Sequence, residues 1–316
     1  MNGVYFVYEK LKKNIEKAVV GKSDVVDLAI ITLFCGGHLL IDDVPGTGKT
    51  LLAKTLAASI DCSFKRIQFT PDLLPADLTG VNYFDMKNST FAFIPGPVFT
   101  NILLADEINR ATPKTQAGLL ECMEERQVTV EGKTYPLESP FMVIATQNPI
   151  DSMGTFPLPE AQLDRFLVRT SMGYPARAES NRIIRNNSAY RPEVNAVLSK
   201  RDVLAAAEGL NDVFAHDDII DYVSAIIEET RQHGEVLLGA SPRAGIHLLK
   251  VAKGYAAISG RNYVLPDDVK KAAVPVLAHR LMLTSAARVK SAMDVAVVRE
   301  VLQRVPVPTE SVFDGR

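Results

Sequence analysis

Along the first half of the chain, short apolar runs alternate with segments whose apolar positions recur every three to four residues. That alternation is the rhythm of a parallel sheet flanked by helices. The runs predict strands at 38–42, 65–69, 101–105, 141–146 and 167–170. Helical patterns fall between them at 49–60 and 113–125, the second with Thr112 as N-cap and Pro113 at the first helical position. The N-terminal MNGVYFVYEKLKKNIEKAVVGK reads as an amphipathic helix. It lacks the basic start, apolar middle and small-residue cleavage site of a signal peptide. Two stretches break the rhythm with hairpin signals. Residues 81–93 have strand-like arms around Lys87-Asn88-Ser89. Residues 127–137 alternate Val128 and Val130, turn at Glu131-Gly132-Lys133 and return through Tyr135. Phe91 and Phe93, in the second arm of the first hairpin, are expected in the core.

From about residue 201 no strand is evident and helical periodicity dominates. Ile219, Tyr222, Val223, Ile226 and Ile227 form one stripe; Ile246, Leu249, Ala252 and Ala256 form another. The chain is therefore expected to hold an α/β domain at 1–176, a polar connector at 177–200 containing Asn186-Asn187-Ser188, and an all-helical domain at 201–316. A length of 316 residues suits two domains. With 47% apolar and 23% charged residues, disorder and fibrous repeats are excluded. The net charge of −2 excludes a strongly basic nucleic-acid binder. The longest apolar stretch, 28–41, contains Gly36, Gly37 and His38 and is shorter than the roughly 20 residues of a spanning helix. No integral membrane segment is expected. Cys35, Cys62 and Cys122 lie far apart and are odd in number, so they read as reduced core residues and imply a cytoplasmic location. The five histidines are scattered, and no zinc site is proposed from them.

Candidate chemistry begins at Pro45-Gly46-Thr47-Gly48-Lys49-Thr50. An apolar run, His38-Leu39-Leu40-Ile41, precedes it, and the helical Leu51-Leu52-Ala53-Lys54 follows. Strand, glycine loop and helix are the context of a Walker A phosphate loop. Small residues let backbone N–H groups converge on the phosphates of a bound nucleotide, and the helix N-terminus adds partial positive charge. Lys49 would reach the β- and γ-phosphates, and the Thr50 hydroxyl would ligate Mg²⁺. The pattern has glycine at position 43, where this chain has Asp43, so the geometry of the loop entry is open. Further along, Ile102-Leu103-Leu104-Ala105 ends in Asp106-Glu107, the Walker B arrangement. Asp106 would hold the Mg²⁺ shell, and Glu107 would activate the attacking water as general base.

With these residues in place, the chain resembles the AAA+ ATPases and, among them, the MoxR family. The closer likeness lies in RIQFTPDLLP at 66–75, LLADEINRA at 103–111, ATQNP at 145–149 with FPLPEAQLDRF at 156–166, and GASPRA at 239–244. It spans about residues 5–305. The resemblance implies a P-loop NTPase core with a parallel central sheet and a C-terminal helical lid. It matches Asn148 to sensor 1, a side chain that positions water and reads the γ-phosphate. Arg165 matches the arginine finger, which points into a neighbouring subunit. Arg243 matches sensor 2, a nucleotide-binding arginine. Ser241 as cap and Pro242 as first residue put Arg243 in a first helical turn. Its action on its own subunit's nucleotide or on a neighbour's is left open. The two hairpins correspond to family inserts, as working loops toward a ring pore or as ordinary structural hairpins.

The family further implies a homo-oligomeric ring, with a hexamer as first expectation. It implies a protein client matured by metal or cofactor insertion or complex assembly, often alongside a von Willebrand A domain protein. Two other classes are weighed. A nucleic-acid motor is disfavoured by the −2 charge and by only one lysine near each hairpin tip, Lys87 and Lys133. A non-hydrolysing switch is disfavoured by the full set of Lys49, Thr50, Asp106, Glu107, Asn148 and Arg165. Magnesium-chelatase-type motors share the architecture and differ mainly in partner.

Overall fold

Every strand expected in the first half forms, displaced by one residue at one or both ends. The structure is a computed structural model and describes residues 3–44, 46–148, 154–189, 194–289 and 292–308. Helices α1 (Gly3–Ile15) and α2 (Ser23–Phe34) precede β1 (Leu39–Asp42), and α3 (Lys49–Ser59) leads to β2 (Phe64–Gln68). A short helix, α4 (Pro75–Thr79), opens the first hairpin, β3 (Gly80–Asp85) and β4 (Thr90–Pro95), which returns to β5 (Ile102–Asp106). Helix α5 (Pro113–Glu125) runs into the second hairpin, β6 (Gln127–Val130) and β7 (Lys133–Pro136), followed by β8 (Met142–Gln147). The short α6 (Glu160–Leu163) and β9 (Val168–Thr170) complete this half.

The central sheet runs β2-β5-β8-β1-β9, with every pair parallel. Parallel strands bring their carboxyl ends to one edge, so whatever follows each strand meets there. Burial alternates along the strands. Leu39, Ile41, Ile102, Leu104, Met142 and Ile144 pack on one side with α1, α2 and α3. Leu40, Leu103, Ala105, Val143 and Ala145 pack on the other with α5 and the second hairpin. Both faces are covered, so the strands read as unbroken apolar runs. The edge strand β2 differs, with Lys65, Arg66 and Gln68 exposed.

The first hairpin corrects the expectation that both its phenylalanines lie in the core: Phe93 is only half-buried and Phe91 is exposed. Phe93 stacks on Tyr135 of the second hairpin at 4.2 Å between ring centres and meets Phe99 edge-on. Phe91, however, is 73% exposed, with Phe84 edge-on against it. Both lie on one side of β4, but Phe91 is nearer the tip, beyond the body that supports Phe93.

The second half holds α7 (Arg177–Ala189), α8 (Lys200–Gly209), α9 (Asp217–Gln232), β10 (Val236–Leu238), α10 (Pro242–Ile258), α11 (Pro266–Leu277), β11 (Met282–Leu283), α12 (Ser285–Arg288) and α13 (Met293–Arg304). Much of the stretch read as connector is thus helical, as α7. Strands β10 and β11 pair as an antiparallel ribbon in a domain read as wholly helical. Strands of three and two residues are too short for alternation to register. In α9 the predicted stripe is the buried face. In α10 it is rotated: Ile246 is 67% exposed, and the buried face runs through Ala244, Leu248, Val251, Ala252 and Tyr255. Small residues carry that face. A Cβ on Gly254 would lie 2.5 Å from the Ile31 side chain, so α10 lies close on α2 where this position is glycine.

The halves share one core. Val4, Tyr8, Leu11, Ile15 and Ile31 of α1 and α2 belong to the same apolar cluster as Ile219, Ile226, Leu248, Val269 and Val297 of the helical domain. Cys35 and Cys122 are buried, Cys62 partly so, and all three are free thiols.

Candidate active site

The carboxyl ends of β1, β2, β5 and β8 open onto a cleft of about 450 Å³. Gly46, Gly48, Lys49, Thr50 and Leu51 form one wall, and Asp106, Glu107 and Asn148 the other. Arg66 and Gln68 of β2 complete it. A second cavity of about 620 Å³ adjoins through Gly46, Gly48, Thr50 and Leu51 and includes Thr47. Val19, Val20, Met172 and Ile183 give it apolar walls, with Lys17, Lys22 and Lys54 among the lining residues. A small polar cleft joined to an apolar cavity suits a ligand with phosphates at one end and a flat ring at the other. Pro45 lies outside the described residues.

Two glycines and one carboxylate set the geometry of the described part of the loop. Gly46 and Gly48 take φ of 83° and 99°, a region that side-chain-bearing residues rarely adopt. Gly48 is the N-cap of α3 and makes no side-chain cap bond, leaving the first amides of the helix to an anion. Lys49 Nζ donates to the Asp43 and Val44 carbonyls at 2.9 and 3.2 Å. Asp43 is buried, and its role is visible in its bonds. Oδ1 accepts from the Val44 N–H at 2.8 Å, and Oδ2 accepts from the N–H groups of Met172 and Gly173 at 3.0 and 2.9 Å. The carboxylate at the glycine position therefore ties the loop to the chain beyond β9.

The acidic pair is held from three sides. Asp106 Oδ1 accepts from the Thr146 hydroxyl at 2.6 Å, while Oδ2 faces Arg66 Nη2 at 2.7 Å and Nε at 3.1 Å. Glu107 has φ 56°, and its N–H donates to Thr146 Oγ1 at 2.9 Å. This left-handed backbone costs a non-glycine residue energy and is found where a site dictates it. Glu107 Oε2 accepts from Gln68 Nε2 at 2.7 Å and pairs with Arg110 Nε at 3.0 Å. Asn148, just after β8, is buried. The sequence reading missed Arg66, Gln68, Thr146 and Arg110 as site residues. Arg66 and Gln68 carried one usable signal, two long polar residues at i and i+2 and so on one face of a strand.

Arg165 and Arg243 do not line this cleft. They meet at Glu124, in the last turn of α5. Arg165 Nη1 lies 2.6 Å from Oε2, and Arg243 Nη2 lies 2.9 Å from Oε1. Burial would raise the Glu124 pKa, but the two guanidinium groups outweigh it and hold the carboxyl below its ordinary range. Ser241 caps α10 by accepting from the Ala244 N–H at 3.3 Å, so Arg243 occupies the first turn.

Comparison with known proteins agrees with this architecture. Residues 38–168 match the ATPase family associated with various cellular activities (AAA), and residues 228–301 match the AAA lid domain. The chain is 46% identical to the uncharacterized protein YeaC of Bacillus subtilis, covering 95% of each. It is 41% identical to Chaperone MoxR1 of Mycobacterium tuberculosis, covering 93% of this chain and 80% of that one. Protein MoxR of Methylorubrum extorquens is 28% identical over 95% of this chain and 94% of its own. A crystal structure of a candidate ATPase from Cytophaga hutchinsonii superposes with a TM-score of 0.90 at 38% identity, covering 97% of each chain. With its parallel sheet, phosphate loop, acidic pair and lid, the chain belongs to the MoxR family of AAA+ ATPases.

Proposed function

We propose that this protein is a Mg²⁺-dependent ATP hydrolase that works as a homo-oligomeric ring and remodels or matures a partner protein. The observation that carries the hydrolytic part is the meeting of Lys49, Thr50, Asp106, Glu107 and Asn148 in one cleft beside an apolar cavity. Lys49 and the α3 amides bind the phosphates, and the cavity near Val19 and Met172 takes the base. Glu107 takes the proton of the water that attacks the γ-phosphorus, and Asn148 orients that water. The donor set fits Mg²⁺, a hard cation, because Thr50 and Asp106 offer oxygens and Asp106 already draws the Arg66 cation. The ion would be held by these two residues and would neutralise phosphate charge as the bond to the leaving ADP breaks.

The pairing of Arg165 and Arg243 at Glu124, outside their own chain's cleft, supports action on a neighbour's nucleotide. Arg243 then serves beside the finger. A protein client is supported by the chaperone name of one relative. It is supported too by the first hairpin, which exposes Phe84, Met86 and Phe91 beside a single tip lysine, Lys87. The −2 charge weighs against DNA. A von Willebrand A domain protein is the adaptor to seek among species copurifying with Glu107→Gln held in ATP. Glu107→Gln is expected to retain ATP binding and to lose turnover by on the order of 10²-fold or more. Unchanged turnover would overturn the assignment. Mixing Arg165→Ala with Glu107→Gln subunits should restore some activity, since every interface that sets an Arg165→Ala subunit's cleft against a Glu107→Gln subunit's finger is complete.

A further inference from the structure

The segment carrying Arg165 is gripped from the helical domain by one buried guanidinium. Arg280 closes the single 3-10 turn Ala278–Arg280 after α11, and its side chain is 2% exposed. Nε donates to Asp164 Oδ1 at 2.7 Å. Nη2 donates to the carbonyls of Phe166 at 2.7 Å and Asp164 at 3.3 Å, and Nη1 to that of Leu167 at 3.1 Å. Of residues 164–167, every one except Arg165 accepts from this group. Arg280 is tied to its own domain by the Val276 carbonyl and by His247 of α10, whose Nδ1 lies 2.7 Å from Nη2. Burial pushes the His247 pKa down to about 4, with nearby Arg280 adding to the effect, so the neutral imidazole accepts from the guanidinium. The neighbouring His279 is likewise held neutral by burial, with Nε2 at 3.1 Å from the Phe166 carbonyl.

Arg165 itself is held differently. Its side chain is 36% exposed and has Glu124 as its ion-pair partner. Such a side chain leaves its partner at little cost, whereas the backbone on both sides of it is bolted down. A buried charge with this many partners resists any shift that leaves one of them unpaired.

We propose that Arg280 is the positioning residue for the arginine finger, fixing the backbone around Arg165 to the lid so that the lid's placement sets where the finger points. This rests on the reading of Arg165 as a finger that acts across the subunit interface. Lid position in one subunit then governs turnover in the next, and the defect of an Arg280 variant lies in what it donates, not in its own cleft.

The test uses full-length Arg280→Gln and Asp164→Asn proteins. Each is expected to bind ATP within about twofold of the parent and to lose turnover by about 10²-fold, the scale of a misplaced catalytic group. Mixed with Glu107→Gln subunits, each should regain activity as Arg165→Ala does. Adding Arg280→Gln to Arg165→Ala should cause no further loss. A merely structural residue would weaken ATP binding or stay dead on mixing. Rescue of Arg165→Ala without rescue of Arg280→Gln or Asp164→Asn overturns this inference and leaves the finger standing. Failure of all three overturns both. Should Arg280→Gln not fold, Asp164→Asn, with its side chain 26% exposed, carries the same test.

Discussion

Asp43 shows how one side chain can replace what a motif assigns to glycine. Its carboxylate accepts three backbone N–H groups, two of them beyond β9. Asp43→Gly restores the motif but strips the buried Met172 N–H of its acceptor, at about 1–3 kcal/mol. The variant should melt a few degrees lower and bind ATP more weakly, as thermal unfolding and nucleotide titration would read; an unchanged melting temperature would remove the brace. His38 is a second case. Its Nδ1 accepts from the Val143 N–H at 2.9 Å, so Nε2 carries the proton and donates to the Met123 carbonyl at 3.1 Å. Burial pushes its pKa down to about 4 from an ordinary 6.5. The unfolded chain therefore binds a proton that the folded one refuses, so this contribution is full above pH 6.5 and lost as pH falls toward 4. Melting temperature should drop through that window, and His38→Gln should flatten the drop; parallel profiles would clear His38. Residues beside strand ends were legible because strand, loop and acid are contiguous in sequence. Arg66, Gln68, Thr146 and Glu124 were not, because their partners lie tens of residues away.

Strands wrapped on both faces announce themselves as apolar runs, and the five sheet strands were legible to within a residue. The β10–β11 ribbon was too short to show, and α10 buries alanine and glycine that a stripe of large apolar residues does not flag. The first hairpin separates two similar phenylalanines by support. Phe91→Ser should change stability by no more than about 0.5 kcal/mol, as at other exposed positions. Phe93→Ala, which removes the ring stacked on Tyr135, should cost about 2 kcal/mol. Denaturant titration of both variants distinguishes them, and equal losses would mean that the tip packs as tightly as the base.

A division into core, connector and lid reads naturally along the sequence, yet α1 and α2 sit in the helical domain's apolar cluster. Sequence pattern reveals that a helix has an apolar face but not which distant helix covers it. Calorimetry should accordingly show one cooperative transition for the intact chain, and two well-separated transitions would contradict the shared core. Gly254→Ala, pressing on Ile31, should lower that single transition rather than split it. The shared core also bears on how the protein is made. Helices α1 and α2 leave the ribosome well before α8 and α10, which cover them and come from the last half of the chain. At about 5–20 residues per second, the apolar α2 waits on the order of ten seconds for its cover. The nascent chain, more than the finished fold, is the form that needs shielding from aggregation.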